Sequence, residues 1–191
     1  MFRDNIKPAL LSFLILTIIT GVLYPLFITG IAQALWPNQA NGSLIYQNGK
    51  VVGSSLIGQA FDDPKYLWGR ISATSPPYNA SGSSGSNIGP SNPALIDEIS
   101  GRIKALKAVD SDNTNPIPVD LVTSSGSGLD PHISLAAAYY QVSRISKHRG
   151  ITENVVRDII HKNTTGRFFG LIGEPVVNVL KVNLDLDSYK K

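Results

Sequence analysis

His132, His148 and His161 are the residues best suited to hold a metal or move a proton, and their placement argues against both. None has a ligand-type partner four residues away, and none stands in a cluster; a zinc centre needs convergent His, Cys or carboxylate donors. The chain contains no cysteine, which excludes thiolate ligation. Asp62 and Asp63 form a carboxylate pair, but they precede Pro64 and so carry a turn signal. Ser124-Ser-Gly-Ser-Gly128 offers hydroxyls with no evident base beside them, and there is no Gly-x-Ser-x-Gly elbow. An exported hydrolase using Ser125 or Ser127 is therefore the alternative, not the leading reading. Phosphate chemistry fares no better. A Walker A loop ends in Gly-Lys-Ser/Thr, and Gly49-Lys50-Val51 fails that test. Leu56-Ile-Gly-Gln59 faintly matches the Gly-Gln end of the ABC-transporter signature, which makes Gln59 the one candidate nucleotide contact.

The elements that would position these groups form a mixed α/β pattern. Leu44-Ile-Tyr46 and Lys50-Val-Val52 flank Asn48-Gly49, the strongest two-residue hairpin signal. Leu56–Phe61 and Tyr66–Arg70 are short apolar pieces of strand type, separated by the Asp62-Asp-Pro64 turn. Ser72 to Asn92 is rich in Ser, Gly, Pro and Asn and carries no charge; an ordered interface surface is expected rather than a linker. Asn92-Pro93 opens a helix with Leu95, Ile96, Ile99, Ile103 and Leu106 on its apolar face. Pro116-Ile-Pro118 stops it, and Val119–Thr123 reads as a strand. A second helix is expected from Ser134 to Arg149 with Gly150 as its C-cap. Thr152 opens a third, stapled by Ile151 and Val156. Val177 to Leu186 alternates apolar and polar residues, the pattern of a terminal strand.

Ahead of all this lies a segment of another kind. From Pro8 to Gly49 there is no charged side chain, and the apolar run Pro8–Ala32 exceeds the roughly 20 residues that cross a hydrocarbon core of about 30 Å. Ala32-Gln-Ala34 has the form of a signal-peptidase site, but the run is longer than a signal core of about 7–15 residues. Arg3 and Lys7 lie before the run, and the next charge is Lys50. Basic residues favour the cytoplasmic side, so residues 1–7 are expected inside, 8–34 in the membrane and 35–191 outside. Trp36 suits the distal interface. Thr17 and Gly21, then Gly30 and Ala34, place small residues four apart, the spacing that admits a neighbouring helix. Pro25 removes one helical hydrogen bond and is expected to kink the span. The 191 residues thus hold an anchor and one soluble α/β ectodomain. A net charge of +3 without a basic run gives no support to nucleic-acid binding.

Asn41-Gly-Ser43, Gly53-Ser-Ser-Leu-Ile-Gly-Gln59, Gly69-Arg-Ile-Ser-Ala-Thr74 and Pro77-Tyr-Asn79 follow one another in the order of a known family. So do Gly82-Ser-Ser-Gly-Ser-Asn87, Pro90-Ser-Asn-Pro93, Val119–Thr123, Ser127-Gly-Leu-Asp130, Gln141-Val-Ser-Arg144 and Ile172–Asn178. The chain resembles KdpC, the small subunit of the Kdp potassium-transporting ATPase. Gly82-Ser-Ser-Gly-Ser departs from the family's frequent Ser-Gly-Gly-Ser-Asn, a local difference in one loop. The resemblance implies an accessory subunit without a catalytic centre, in the cell membrane. It would be partnered by a channel-like potassium-selecting subunit, a P-type ATPase subunit, a small single-helix subunit and lipid. It implies no firmly bound cofactor; ATP would meet the chain only in complex with the ATPase subunit, whose ATP affinity the family is described as raising. A domain outside the cell cannot touch cytoplasmic ATP. Coupling through helix packing is therefore expected, and Gln59 would contact nucleotide only in the opposite orientation. An anchored binding module for envelope ligands is a third reading, and it predicts no co-purifying ATPase.

Overall fold

The computed structural model describes residues 2–189, with side chains from residue 5 onward, so the side chain of Arg3 lies outside the described residues. The chain divides into two compact units between Val52 and Gly53.

In the first unit, α1 (Phe2–Ile18) runs through a π-helical turn (Ile19–Leu23) into α2 (Tyr24–Leu35). Together they make an apolar helix over Asn5–Leu35 that is long enough to cross a membrane. The expected disturbance at Pro25 takes the form of that π turn, which immediately precedes the proline-bearing turn of α2. A proline in a helix clashes with the carbonyl four residues earlier, here Gly21, and the wider π turn makes room there. A one-turn α3 (Pro37–Ala40) leads to β1 (Leu44–Gln47) and β2 (Lys50–Ser54), which pair as a two-stranded hairpin. Asn48 and Gly49 have φ of 52° and 75°, the left-handed values that the two-residue turn demands.

The second unit is a mixed α/β domain. Its helices are α4 (Pro93–Val109), α5 (Leu135–Tyr140), α6 (Val142–Arg149), α7 (Glu153–Lys162) and α8 (Val179–Ser188). Its sheet is antiparallel with strand order β3–β5–β4, built from His132–Ser134, Val176–Asn178 and Thr164–Thr165. The register pairs Ile133 with Val177 and Val177 with Thr164. Leu67, Leu106, Leu121, Ile133, Ala137, Ile145, Val156, Ile160, Val177 and Val182 meet in one buried core.

Five sequence expectations are corrected. Leu56–Phe61 and Tyr66–Arg70 form no strand. The stretch around Val119 is a 3-10 turn (Val119–Leu121), because Asp120 is drawn in to accept from the Ser134 N–H at 2.7 Å and leaves Val119 exposed. The helix expected over Ser134–Arg149 is broken at Gln141, whose N–H turns to the Ala138 carbonyl three residues back. The terminal strand is mostly helix: Val179, Leu180, Val182, Asn183 and Leu186 are buried, a spacing of three and four, and only Val176–Asn178 remains extended. Within α4, Ile96 points to solvent, whereas Ile99, Ile103, Leu106 and Val109 pack inward.

The helix starts follow the sequence closely. Asn92 accepts from the Ala94 N–H at 3.0 Å, and Gly150 closes α6 at φ 61°. Thr152 stands at the start of α7 but caps it without its side chain. Ser134 caps α5 by accepting from the Ala137 N–H at 3.0 Å while its own hydroxyl donates to Asp120. Ser134→Ala removes both bonds and should cost about 1–2 kcal/mol in denaturant unfolding of the full-length chain in detergent.

Candidate functional site

The segment Leu67–Arg70 runs through the middle of the domain with no strand beside it at Leu67 or Trp68, and it organises the rest. Leu67 and Trp68 are buried, so their peptide groups need partners. Two side-chain amides supply them. Asn183 accepts from Leu67 N–H at 2.8 Å and donates to the Leu67 carbonyl at 3.0 Å. Gln141 accepts from Trp68 N–H at 2.8 Å and donates to the Trp68 carbonyl at 3.1 Å. Each amide thus does the work of a neighbouring strand. Two guanidinium groups, of Arg102 and Arg144, pack on the Trp68 ring, 4.9 and 4.8 Å from its centre. Arg144 donates to the Gln141 amide oxygen and to the Pro64 carbonyl. Burial lowers the Arg144 pKa to about 10, partly opposed by Asp110, so it stays charged at neutral pH. Arg102 ties Leu121 and Gly69 carbonyls together at 3.0 and 2.9 Å.

On this base sits a platform of Ser- and Gly-rich loop. Tyr78, at φ 60°, donates its hydroxyl to the Arg70 carbonyl at 2.7 Å, and burial raises its pKa. Its ring passes so close to Gly58 that a Cβ there would sit 2.5 Å from the ring and 2.7 Å from the Asp130 carbonyl. Ser72 donates to the Gly128 carbonyl at 2.7 Å and accepts from the Tyr78 N–H at 2.8 Å. Ser84 N–H and the Ser83 hydroxyl both donate to the Ser127 carbonyl at 3.0 Å. Gly128, at φ 69°, packs against Thr74 and the Ser84 carbonyl, where a Cβ would come within 2.6 Å of each. Residues 72–86 are therefore tied down by contacts with residues 124–128. Beside it, Ala60, Asp62, Arg70, Tyr78, Glu98 and Arg102 line an open groove of about 460 Å³. Arg70 reaches the Ser124 carbonyl at 3.0 Å and Asp130 at 3.4 Å.

The residues singled out for chemistry are dispersed. Asp63 accepts from the Lys65 N–H at 3.0 Å, the turn role expected of it. Ser125 is buried and accepts from the N–H groups of Ser127 and Gly128. Among the described residues, no imidazole or carboxylate hydrogen-bonds to Ser125 or Ser127. His148 and His161 are exposed, and no group of three or more His, Asp or Glu converges among the described residues. Gln59 lies with its amide against Gly53. Gly21 and Gly30 have open space where a Cβ would stand.

His132 lies beside Asp130 and Asn178 and is half-buried. Burial lowers its pKa below 6.5, Asp130 pulling the other way and Lys181 adding to the fall. The unfolded chain therefore binds a proton more readily, and stability should fall as pH drops from about 6.5 through the lower folded value. Urea midpoints of the full chain against pH should show that slope, reduced in His132→Gln.

The family model of KdpC, described as "K+-transporting ATPase, c chain", matches residues 6–188. The chain belongs to the KdpC family. It is 58% identical over 189 residues to the potassium-transporting ATPase KdpC subunit of Paraburkholderia phytofirmans, covering 98% of each chain. The KdpC subunits of Methylococcus capsulatus and Dechloromonas aromatica are also 58% identical, with 98–99% of this chain and 99–100% of theirs aligned. The stretches that carried the KdpC resemblance converge in space. Gly53–Gln59, Gly69–Thr74 and Ser127–Asp130 supply Gly58, Arg70, Ser72 and Gly128 to the platform, and Gln141–Arg144 supplies Gln141 and Arg144 to the base beneath it. Sequence reasoning found those stretches but not Asn183, Arg102 or the role of Gln141. A lone Asn amid Val182, Leu184 and Leu186 was the available signal.

Proposed function

We propose that this chain is the non-catalytic accessory subunit of a high-affinity ATP-driven potassium uptake pump. Residues 1–7 lie in the cytoplasm, 8–34 cross the membrane and 35–191 form the extracytoplasmic domain. Lys7 before the span, against no charge between Pro8 and Gly49, supports that orientation. The partners are the channel-like potassium-selecting subunit, the P-type ATPase subunit and a small single-helix subunit, within the lipid of the cell membrane.

The observation that carries the reading is the loop platform. Residues 72–92 and 123–129 contain no charged side chain and hold their hydroxyls and carbonyls in a fixed array. Such a surface caps the outer mouth of a cation pathway without repelling the incoming ion. With the domain outside, Gln59 has no nucleotide to meet. The rise in ATP affinity of the ATPase subunit is carried instead by helix packing at Thr17, Gly21, Gly30 and Ala34, with reciprocal energetics. Deleting residues 53–191 should reduce recovery of the assembled complex from solubilised membrane and weaken potassium affinity in transport assays. Unchanged transport with the truncated subunit would refute the cap.

A further inference from the structure

The return from β4 to β5 carries a second feature that the platform does not use. Between Thr165 and Val176 the chain projects a tip whose four large apolar side chains are mostly bare: Phe168 67%, Phe169 85%, Leu171 83% and Ile172 67% exposed. Backbone hydrogen bonds close the tip on itself. Phe168 N–H donates to the Ile172 carbonyl at 2.8 Å, and Ile172 N–H returns to the Phe168 carbonyl at 3.0 Å. Phe169 and Gly170 take φ of 51° and 74°, and the two phenyl rings pack with centres 4.3 Å apart. At the neck, Arg167 donates to both carboxylate oxygens of Glu174 at 2.8 Å.

We propose that this hairpin tip is the anchor by which the domain seats in an uncharged apolar socket on a neighbouring integral-membrane subunit of the same transporter. The inference rests on the external cap proposed above and names the surface that holds it. Charge favours a protein socket over lipid. The tip from Phe168 to Gly173 has no charge, and the only charges at its neck neutralise each other, so it lacks the cluster of free cations that binds a lipid headgroup surface. Shape points the same way. A bilayer accepts any apolar side chain, whereas a tip fixed in left-handed backbone geometry is preorganised for one complementary pocket. Area argues against a second copy of this chain. The tip offers about 600 Å², short of the roughly 800 Å² per partner of a free-standing interface, but sufficient for a subunit also held through its own helix.

The absence of cysteine makes the test site-specific. Leu171→Cys, bearing a photoactivatable benzophenone, is assembled with the complete complex in native membrane and irradiated. The expected product is a cross-link to an identified membrane subunit of the potassium-transporting ATPase. In parallel, Phe169→Ser/Leu171→Ser in the full chain should lower co-purification of the other subunits about tenfold while leaving its own unfolding midpoint unchanged. Cross-linking only to lipid, only to a second copy, or to nothing overturns the inference, as does full co-purification by the double variant. If the unaltered chain itself brings down no ATPase subunit, the cap reading falls and this inference falls with it; if it does and only the tip arms fail, the tip alone is wrong.

Discussion

Gln141→Leu should be the most damaging single substitution in the domain, costing about 3–5 kcal/mol and leaving little folded protein at ambient temperature. The replacement has nearly the same size, so packing is not what is lost. Four polar groups lose a partner at once: the Trp68 N–H, the Trp68 carbonyl, the Ala137 carbonyl and the Arg144 guanidinium. Each buried group left unsatisfied costs about 1–3 kcal/mol, and a buried charge costs more. The measurement is urea unfolding of the full-length chain in detergent, with Asn183→Leu as the companion. Among the described residues the Asn183 side chain bonds only Leu67, so its loss should be smaller, about 2–4 kcal/mol. Equal stability of Gln141→Leu and the unaltered chain would mean that the amide does not stand in for a strand.

The second large effect is expected at Gly58. Gly58→Ala puts a methyl 2.5 Å from the Tyr78 ring and 2.7 Å from the Asp130 carbonyl. The ring can swing aside, but the carbonyl is backbone and belongs to the segment that leads into β3. Accommodating the methyl therefore means moving Tyr78 off the Arg70 carbonyl or displacing the 124–130 loop. Overpacking of this kind costs about 1–3 kcal/mol. Here the cost falls on the platform, so complex recovery should drop with the domain still folded. Gly101→Ala, on α4 outside the platform and with open space where its Cβ would stand, is the control and should reduce neither folding nor recovery. Recovery unchanged in Gly58→Ala would show that the platform tolerates distortion and is not the fitted surface.

Much of the fold was legible because its signals are local. The Asn48-Gly49 turn, the Asn92 cap and the Gly150 stop each depend on the conformational preferences of one or two residues. The order within 72–92 was legible only as an expectation, since the groups that fix Ser72, Ser83 and Ser84 lie at 127–128, more than forty residues away. The readings that failed were ones where a short apolar run or a period decided without regard to distant partners. Val182-Asn-Leu-Asp-Leu186 alternates well enough for a strand, yet Asn183 has a bonding requirement that only burial opposite Leu67 meets, and the helix brings it there. Leu67 and Trp68 looked like a strand for a sound reason: they are apolar, and they are buried. What they lack is a neighbouring strand, and no local pattern reveals that their peptide groups bond instead to side chains 73 and 116 residues distant.

By itself the sequence determined the apolar helix, the absence of thiol chemistry, the α/β class and the KdpC family, because composition, length and ordered motifs persist whatever the chain folds into. Tertiary structure alone decided that Gln141 and Asn183 complete a missing strand, that two guanidinium groups pack on Trp68, and that the Phe168–Ile172 tip stands bare. The division has a physical basis. Helix and turn propensities act between residues a few positions apart, whereas desolvating a peptide group or exposing a phenyl ring depends on which distant part of the chain arrives beside it.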